Sequence, residues 1–497
     1  MKKSLAPLLM GTALLAGCSF APKYERPAGA VPVTLPQGGV YESAPSDGPD
    51  LSQTGWRDFF VDDRLRQVIE LGLAENRELR IAAGNVLQAR SQLRVQRADL
   101  LPTVSATGSA TYTNNIFGAG GGTAGGAGAG AGAVGSSSGD LDIYSVGAGL
   151  SAFELDLFGR IRNLTRAAQE QVFASQEAQR ATRISLVAEI ATAWLTMASD
   201  AEQLRLSRET RDAFAKTLEL TRAQFRIGVG SELEVSQAET NYQGAVNDIA
   251  ALEAAVAVDQ NALNLLAGTT VPRELLPEGL GDAPVMRGDL PVGVSSQVLL
   301  SRPDVLRAEH MLIAEHANIG AARAAFFPTI SLTGAVNTLS LGLSGLFKDG
   351  SYMYNVAPTA SLPLFDGGTR QGNLDYAKAS REVAVATYEQ AIQTAFQEVS
   401  DGLARRGKLD EQIAAQEKRV KAAQLAARLS DARYRTGVDS FLTTLDAQRS
   451  AYGAEQQLVT TRLTRGSNLV ELYRALGGGL LVDEATPATQ GERSEAN

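Results

Sequence analysis

Thr103-Val104-Ser105-Ala106-Thr107-Gly108-Ser109-Ala110-Thr111-Tyr112-Thr113 carries a hydroxyl at every odd position and an apolar body at nearly every even one. Successive side chains of a strand point to opposite faces, so this spacing predicts a strand with one hydroxylated and one apolar face. That is the pattern of a membrane barrel strand, polar to the lumen and apolar to lipid. Tyr144, Val146, Ala148, Leu150 and Ala152 alternate in the same way with Ser145, Gly147, Gly149 and Ser151. Ile330, Leu332 and Val336 alternate with Thr329, Ser331 and Thr333. A fourth apolar row runs through Tyr352, Tyr354, Val356, Ala360, Leu362 and Leu364, interrupted by Pro358 and Pro363, which a ladder tolerates poorly. Alternation alone also suits a small soluble sheet. The tyrosines near the strand ends and the character of the N-terminus favour the membrane.

Four strands cannot close a barrel, since the smallest transmembrane barrels have eight. An open edge in lipid leaves backbone groups unpaired at several kcal/mol each. Several chains must therefore contribute to one barrel, and two, three or four copies all satisfy the arithmetic. Gly118 to Gly139, almost entirely Gly, Ala and Ser, reads as a disordered loop at the barrel mouth.

The strands are flanked by long helical segments. Arg160 to Ile227 contains neither Gly nor Pro and would reach about 100 Å as one helix. A second such segment runs from about Gly368 to Thr436, with Gly372, Gly402 and Gly407 but no proline. The spacing of Ile184, Val187, Ala188, Ala191, Leu195 and Ala198 suits packing along one face. Shorter helices are expected over about 63–100, 233–266, 294–326 and 442–476. Segments recur in order: Leu101-Pro102-Thr103-Val104-Ser105 as Phe327-Pro328-Thr329-Ile330-Ser331, and Phe153 to Gly159 loosely as Ser361 to Gly367. Phe225 to Leu233 returns as Tyr434 to Leu442, and Leu265 to Gly268 as Arg474 to Gly477. The chain reads as an internal duplication. It divides into a signal peptide (1–17), an N-terminal lipidated segment (18–60), a first repeat (61–268), a linker (269–293), a second repeat (294–479) and a disordered tail (480–497).

Lys2 and Lys3, the apolar run from Leu5 to Leu15, and Leu15-Ala16-Gly17-Cys18 form a lipoprotein signal. Cys18 is the only cysteine, so no internal disulfide exists and its expected chemistry is a thioether to lipid, with palmitate among the acyl chains. Ser19 rather than Asp follows it, which points to the outer membrane of a Gram-negative cell. The net charge of −9 with no basic stripe excludes nucleic acid as the natural partner. No phosphate-binding loop is present, and His310 and His316, six residues apart, point in different directions from a helix. Neither an enzyme, a metal site nor a cofactor beyond the lipid is expected.

Tyr24-Glu25-Arg26-Pro27, Phe153 to Arg160, Ser301-Arg302-Pro303-Asp304 and Gly320 to Pro328 are similar to motifs of the TolC-like outer membrane factors. So are Tyr434 to Val438 and Thr444 to Arg449. The resemblance is to the NodT-type, OprM-like lipoprotein branch and covers nearly the whole mature chain. It implies a mixed α/β fold, with a homotrimer sharing a twelve-stranded transmembrane β-barrel, four strands per chain. A long periplasmic α-helical barrel would continue it. It also implies a passive duct that docks to a membrane fusion (adaptor) protein and an inner-membrane pump of the RND type, exporting drugs and solvents. A structural or adhesive coiled-coil lipoprotein is the alternative from another class, but it needs neither paired strands nor paired Gly turns.

Carried over residue by residue, the resemblance places docking at Arg226, Gly228, Val229, Arg435, Gly437 and Val438. It places the gate at Tyr434, hydrogen-bonded to Glu234, and at Asp446 as a ring carboxylate. Thr443 and Asp439 stand where the family has a second aspartate and a bridging arginine, so an apolar constriction or one based on Asp431 and Asp439 is expected instead.

Overall fold

The computed structural model describes residues 19–27, 29–41, 54–113, 141–281, 284–287 and 296–479. Cys18, the signal region, the Gly-rich segment and the C-terminal tail lie outside them. In chain order the helices and strands are α1 (Asp63–Glu75), α2 (Arg77–Ala98), β1 (Val104–Thr113), β2 (Leu141–Glu154), α3 (Arg160–Arg226) and α4 (Glu232–Ala267). They continue with α5 (Pro303–Ala324), β3 (Thr329–Ser340), β4 (Tyr352–Ser361), α6 (Thr369–Arg435) and α7 (Phe441–Ala475). The helices α3 and α6 are each 67 residues long. Among the described residues no helix is long and apolar enough to cross a membrane.

The chain forms two compact units, each drawing on both halves of the sequence. The first comprises 1–25, 88–172 and 311–384 and holds the sheet. Its four strands are antiparallel in the order β1-β2-β3-β4, so β1 and β4 are the edges. Strand β4 runs unbroken through Pro358, contrary to the interruption expected there. Leu339 N–H donates to Ser351 O at 2.8 Å, so odd positions of β4 bond to β3. Pro358 is even, faces the open edge, and takes no bond from the ladder. A second departure lies in β2, where the register shifts between Leu150 and Phe153. Ala152 there adopts φ 49°, and its N–H donates to Thr333 Oγ1 at 3.1 Å. The inserted residue ends the apolar row at Leu150 and brings Phe153, not Ala152, opposite Leu332.

The second unit comprises 26–87, 173–310 and 385–497. Ile184, Val187, Ala188, Ala191, Leu195 and Ala198 of α3 are all buried in it. Trp56, Phe59 and Phe60 are buried, and the ring of Tyr473 of α7 stacks on Phe59 at 4.3 Å and meets Phe60 edge-on. The Ser301 to Asp304 motif is a clamp. Arg302, 5% exposed, donates to Ala475 O at the end of α7 and bridges Asp304 and Glu398. Two helix boundaries differ from those expected. The helix over 63–100 breaks at Asn76, whose Oδ1 accepts from Leu79 N–H while its Nδ2 donates to Leu266 O. That side chain caps α2. The helix expected from Val294 begins at Pro303, because proline suits a first helical position and disfavours helix in the residue before it.

Candidate functional site at the two interhelical turns

The turn between α3 and α4 and that between α6 and α7 share one backbone design. Gly228 N–H donates to Phe225 O and Val229 N–H to Gln224 O, both at 3.0 Å. Gly437 N–H donates to Tyr434 O and Val438 N–H to Arg433 O, both at 2.9 Å. These are paired Schellman closures that satisfy the last carbonyls of each long helix. They require a left-handed residue, and Gly228 and Gly437 supply φ of 77° and 74°. Ile227, Val229, Leu233, Val438 and Leu442 are left exposed around the turns.

The side chains that lock the two turns differ. After the first, Ser231 Oγ accepts from Glu234 N–H at 3.2 Å, and Glu234 Oε2 accepts from Ser231 N–H at 2.9 Å. This reciprocal capping box occupies Glu234. The Tyr434–Glu234 hydrogen bond expected from the resemblance therefore does not form within the protomer. Tyr434 OH donates instead to Gln224 Oε1 of α3 at 2.7 Å. Burial, then the nearby charge of Glu234, pushes the Tyr434 phenol above its usual range, so it remains a donor at physiological pH. Its ring lies 5.4 Å from that of Phe441 and packs on a cluster with Leu218, Ala238 and Leu445. Tyr434 thus ties α6 to α3, α4 and α7.

After the second turn, Asp439 takes two bonds from Arg433, at 2.6 and 2.8 Å. Arg433 holds the Asp439 carboxyl below its ordinary value. Asp431 pairs with Arg435 at 2.8 Å. The Asp431 and Asp439 carboxylates expected to form a constriction are thus both neutralised by arginines one helical turn or less away in space. Asp446 is exposed and Arg226 lies exposed at the end of α3, neither with an ion-pair partner among the described residues. No group of three or more His, Cys, Asp or Glu suited to a metal occurs among the described residues.

One interhelical link had no signal in the sequence. Tyr452 OH of α7 donates to Asp248 Oδ2 of α4 at 3.0 Å and lies 2.7 Å from Ser207 Oγ of α3. Since the phenol's single proton goes to the carboxylate, the Ser207 hydroxyl donates to Tyr452. Burial chiefly, with Asp248 adding to it, pushes the Tyr452 phenol up to about 12. Partners more than 200 positions apart cannot be matched by local pattern.

Nothing in this geometry holds a nucleophile beside a base; it is a set of ties between long helices. The sequence profile described as "Outer membrane efflux protein" matches residues 68–269 and 294–478. The toluene efflux pump outer membrane protein TtgC of Pseudomonas putida is 43% identical over 479 residues, 96% of each chain. The cation efflux system protein CusC of Escherichia coli is 37% identical over 479 residues, 96% of this chain and 99% of its own. The crystal structure of the open state of the Neisseria gonorrhoeae MtrE outer membrane channel superposes with a TM-score of 0.81 at 38% identity. It covers 93% of this chain and 99% of that one. This chain belongs to the outer membrane efflux protein family and is a transport duct of the outer membrane rather than an enzyme.

Proposed function

We propose that three copies of the chain close one twelve-stranded barrel in the outer membrane, each built from two repeats. Their long helices continue the channel into the periplasm. The observation that carries this reading is the four-stranded sheet with two open edges, since lipid does not tolerate unpaired strand backbone. The two 67-residue helices supply walls of about 100 Å. Cys18, acylated, anchors each protomer to the same membrane. Light scattering of the detergent-extracted complex should give about three chains per particle. A monomer overturns the shared barrel.

The exposed apolar collar at Ile227, Val229 and Val438, with Arg226 and Arg435 beside it, suits docking onto a periplasmic adaptor protein coupled to an inner-membrane RND pump. Drugs and solvents are the proposed cargo. The relatives named for toluene, solvent and antibiotic efflux favour it. So does the scarcity of methionine, six in the chain, which offers little thioether ligation to soft metal ions. Deletion of the gene should sensitise cells to organic antibiotics and toluene; sensitivity to copper or silver alone would reassign the cargo.

A further inference from the structure

The four long helices fall into two pairs, α3 with α4 and α6 with α7, and ties within a pair differ from ties between pairs. Within the first pair Arg208 bridges Glu253 at 2.8 Å and Arg222 bridges Glu239. Within the second Gln424 Nε2 donates to Glu455 Oε1. These are surface links of long side chains, each worth little. Tyr434 and Tyr452 instead cross from the second pair to the first. Tyr434 does so beside the turns, on Gln224. Tyr452 sits deeper, about 16 Å along α7 from Phe441. Its partner Asp248 lies about 24 Å along α4 from Glu232, and Ser207 about 28 Å along α3 from Arg226.

The Tyr452 tie is set into an apolar seam. Between Leu204 and Leu218 the buried side chains of α3 are Leu204, Ser207, Phe214 and Leu218, and Ser207 is 0% exposed. Ala245 of α4, one turn before Asp248, is buried, as are Ala451 and Ala454 of α7 beside Tyr452. A polar group in such a seam is satisfied only when its partner helix holds one register, because any slide leaves it buried and unbonded. Ser207 therefore pins α7 against α3 at a single height, and Asp248 pins it against α4 at the same place.

We propose that Tyr452, joined to Asp248 and Ser207, is the pivot of the turn-bearing end of the duct: when that end opens, α6 and α7 part from α3 and α4 only as far as Tyr452. This rests on the duct reading above and adds where the opening stops. The order of rupture follows from the chemistry of the two ties. Tyr434 donates one bond, to the neutral amide of Gln224. Tyr452 makes two, one of them to a carboxylate, and a bond to a charged acceptor is roughly twice as strong as one between neutral groups. The exposed Ile227, Val229 and Val438 surround the turns, so a pull applied there loads the weaker tie first. Separation then runs along the seam until it meets the stronger one. Tyr452 acts through the helices it joins and is a positioning residue.

Hydrogen exchange and single-channel conductance of the full-length protein in lipid test the pivot together. Tyr434→Phe should quicken exchange from the turns up to Ser207, Asp248 and Tyr452 and no farther. Tyr452→Phe alone should leave the conductance unchanged, because Tyr434 still holds the end. The double variant should carry the quickened exchange past those three residues and conduct above the product of the two single effects. In the Tyr434→Phe background Asp248→Asn should keep the boundary, since its amide oxygen still accepts from Tyr452, whereas Asp248→Ala should abolish it. A boundary that stays in place when Tyr452→Phe is added overturns the pivot. An even loss of protection along α3, α4 and α7, with the double variant conducting like Tyr434→Phe, also overturns it and leaves Tyr452 a packing residue. No channel activity in the wild type or any variant sinks the duct reading and the pivot with it.

Discussion

The turn after α3 and the turn after α6 have superimposable hydrogen-bond logic and different chemistry. Both end a 67-residue helix on a left-handed glycine with two Schellman bonds. The first is then fixed by a reciprocal capping box, local to α4, in which Ser231 Oγ and the Glu234 carboxylate each accept a backbone N–H. The second is fixed by two surface ion pairs, Arg433–Asp439 and Arg435–Asp431. Backbone closure is therefore common to the two ends, while the arginine–carboxylate pairs within the closing segment belong to the second.

The largest expected effect tests what is shared. Gly228→Val and Gly437→Val each force a β-branched residue into the left-handed region, at about 1–2 kcal/mol. Hydrogen exchange should show both turns fraying to a similar degree; protection lost at only one would break the equivalence. Ser231→Ala removes the cap of α4 alone and should cost about 1 kcal/mol, read as faster exchange over the first turn of α4 with α7 unchanged. Tyr434→Phe deletes one hydrogen bond worth about 1 kcal/mol and frees Gln224. In planar bilayers it should raise single-channel conductance, whereas Glu234→Gln should not, because Gln still completes the capping box. Equal effects of the two would return Glu234 to the gate.

The pH responses carry opposite signs. Asp439 is held below its ordinary 3.8 by Arg433, so its stabilisation is complete above that value and lost as pH falls through the folded one. Burial, then the nearby charge of Asp200 of α3, raises the Asp259 carboxyl of α4 to about 6. The stability that goes with its protonated form is complete below 3.8 and lost as pH rises through about 6. Exchange near 200 and 259, corrected for its intrinsic pH dependence, should thus quicken between about pH 5 and 7.5, and Asp259→Asn should abolish the change. The smallest effect is that of Asp439→Asn, visible as a weakened salt and acid dependence of the second turn, with the Arg435–Asp431 pair retained.

The long helices were legible because Arg160 to Ile227 contains nothing that stops a helix. In α6 the glycines argued against continuity, and one of them has a packing reason: a Cβ on Gly402 would lie 2.6 Å from Leu472 Cδ2 of α7. The strands were legible from alternation, yet the bulge in β2 was hidden because Ala152, not glycine, occupies the left-handed position. The break at Asn76 was missed for a similar reason, since a polar side chain rather than a Gly or Pro ends the helix. Ser231 and Glu234 stand at capping-box spacing, and that local signal competed with the long-range pairing suggested by family resemblance. The local bond forms in the protomer because it costs no ordering of distant segments. Tyr452 and Asp248 had no such signal at all.

Pro358 has a consequence for the protomer before it assembles. An unassembled chain crosses an aqueous compartment with two bare strand edges, each a template for pairing with any extended segment it meets. The missing N–H of Pro358 falls in the middle of β4, on the side that faces outward. A stray strand therefore finds a ladder broken at its centre, and the same residue lowers the chance that the chain is lost to aggregation.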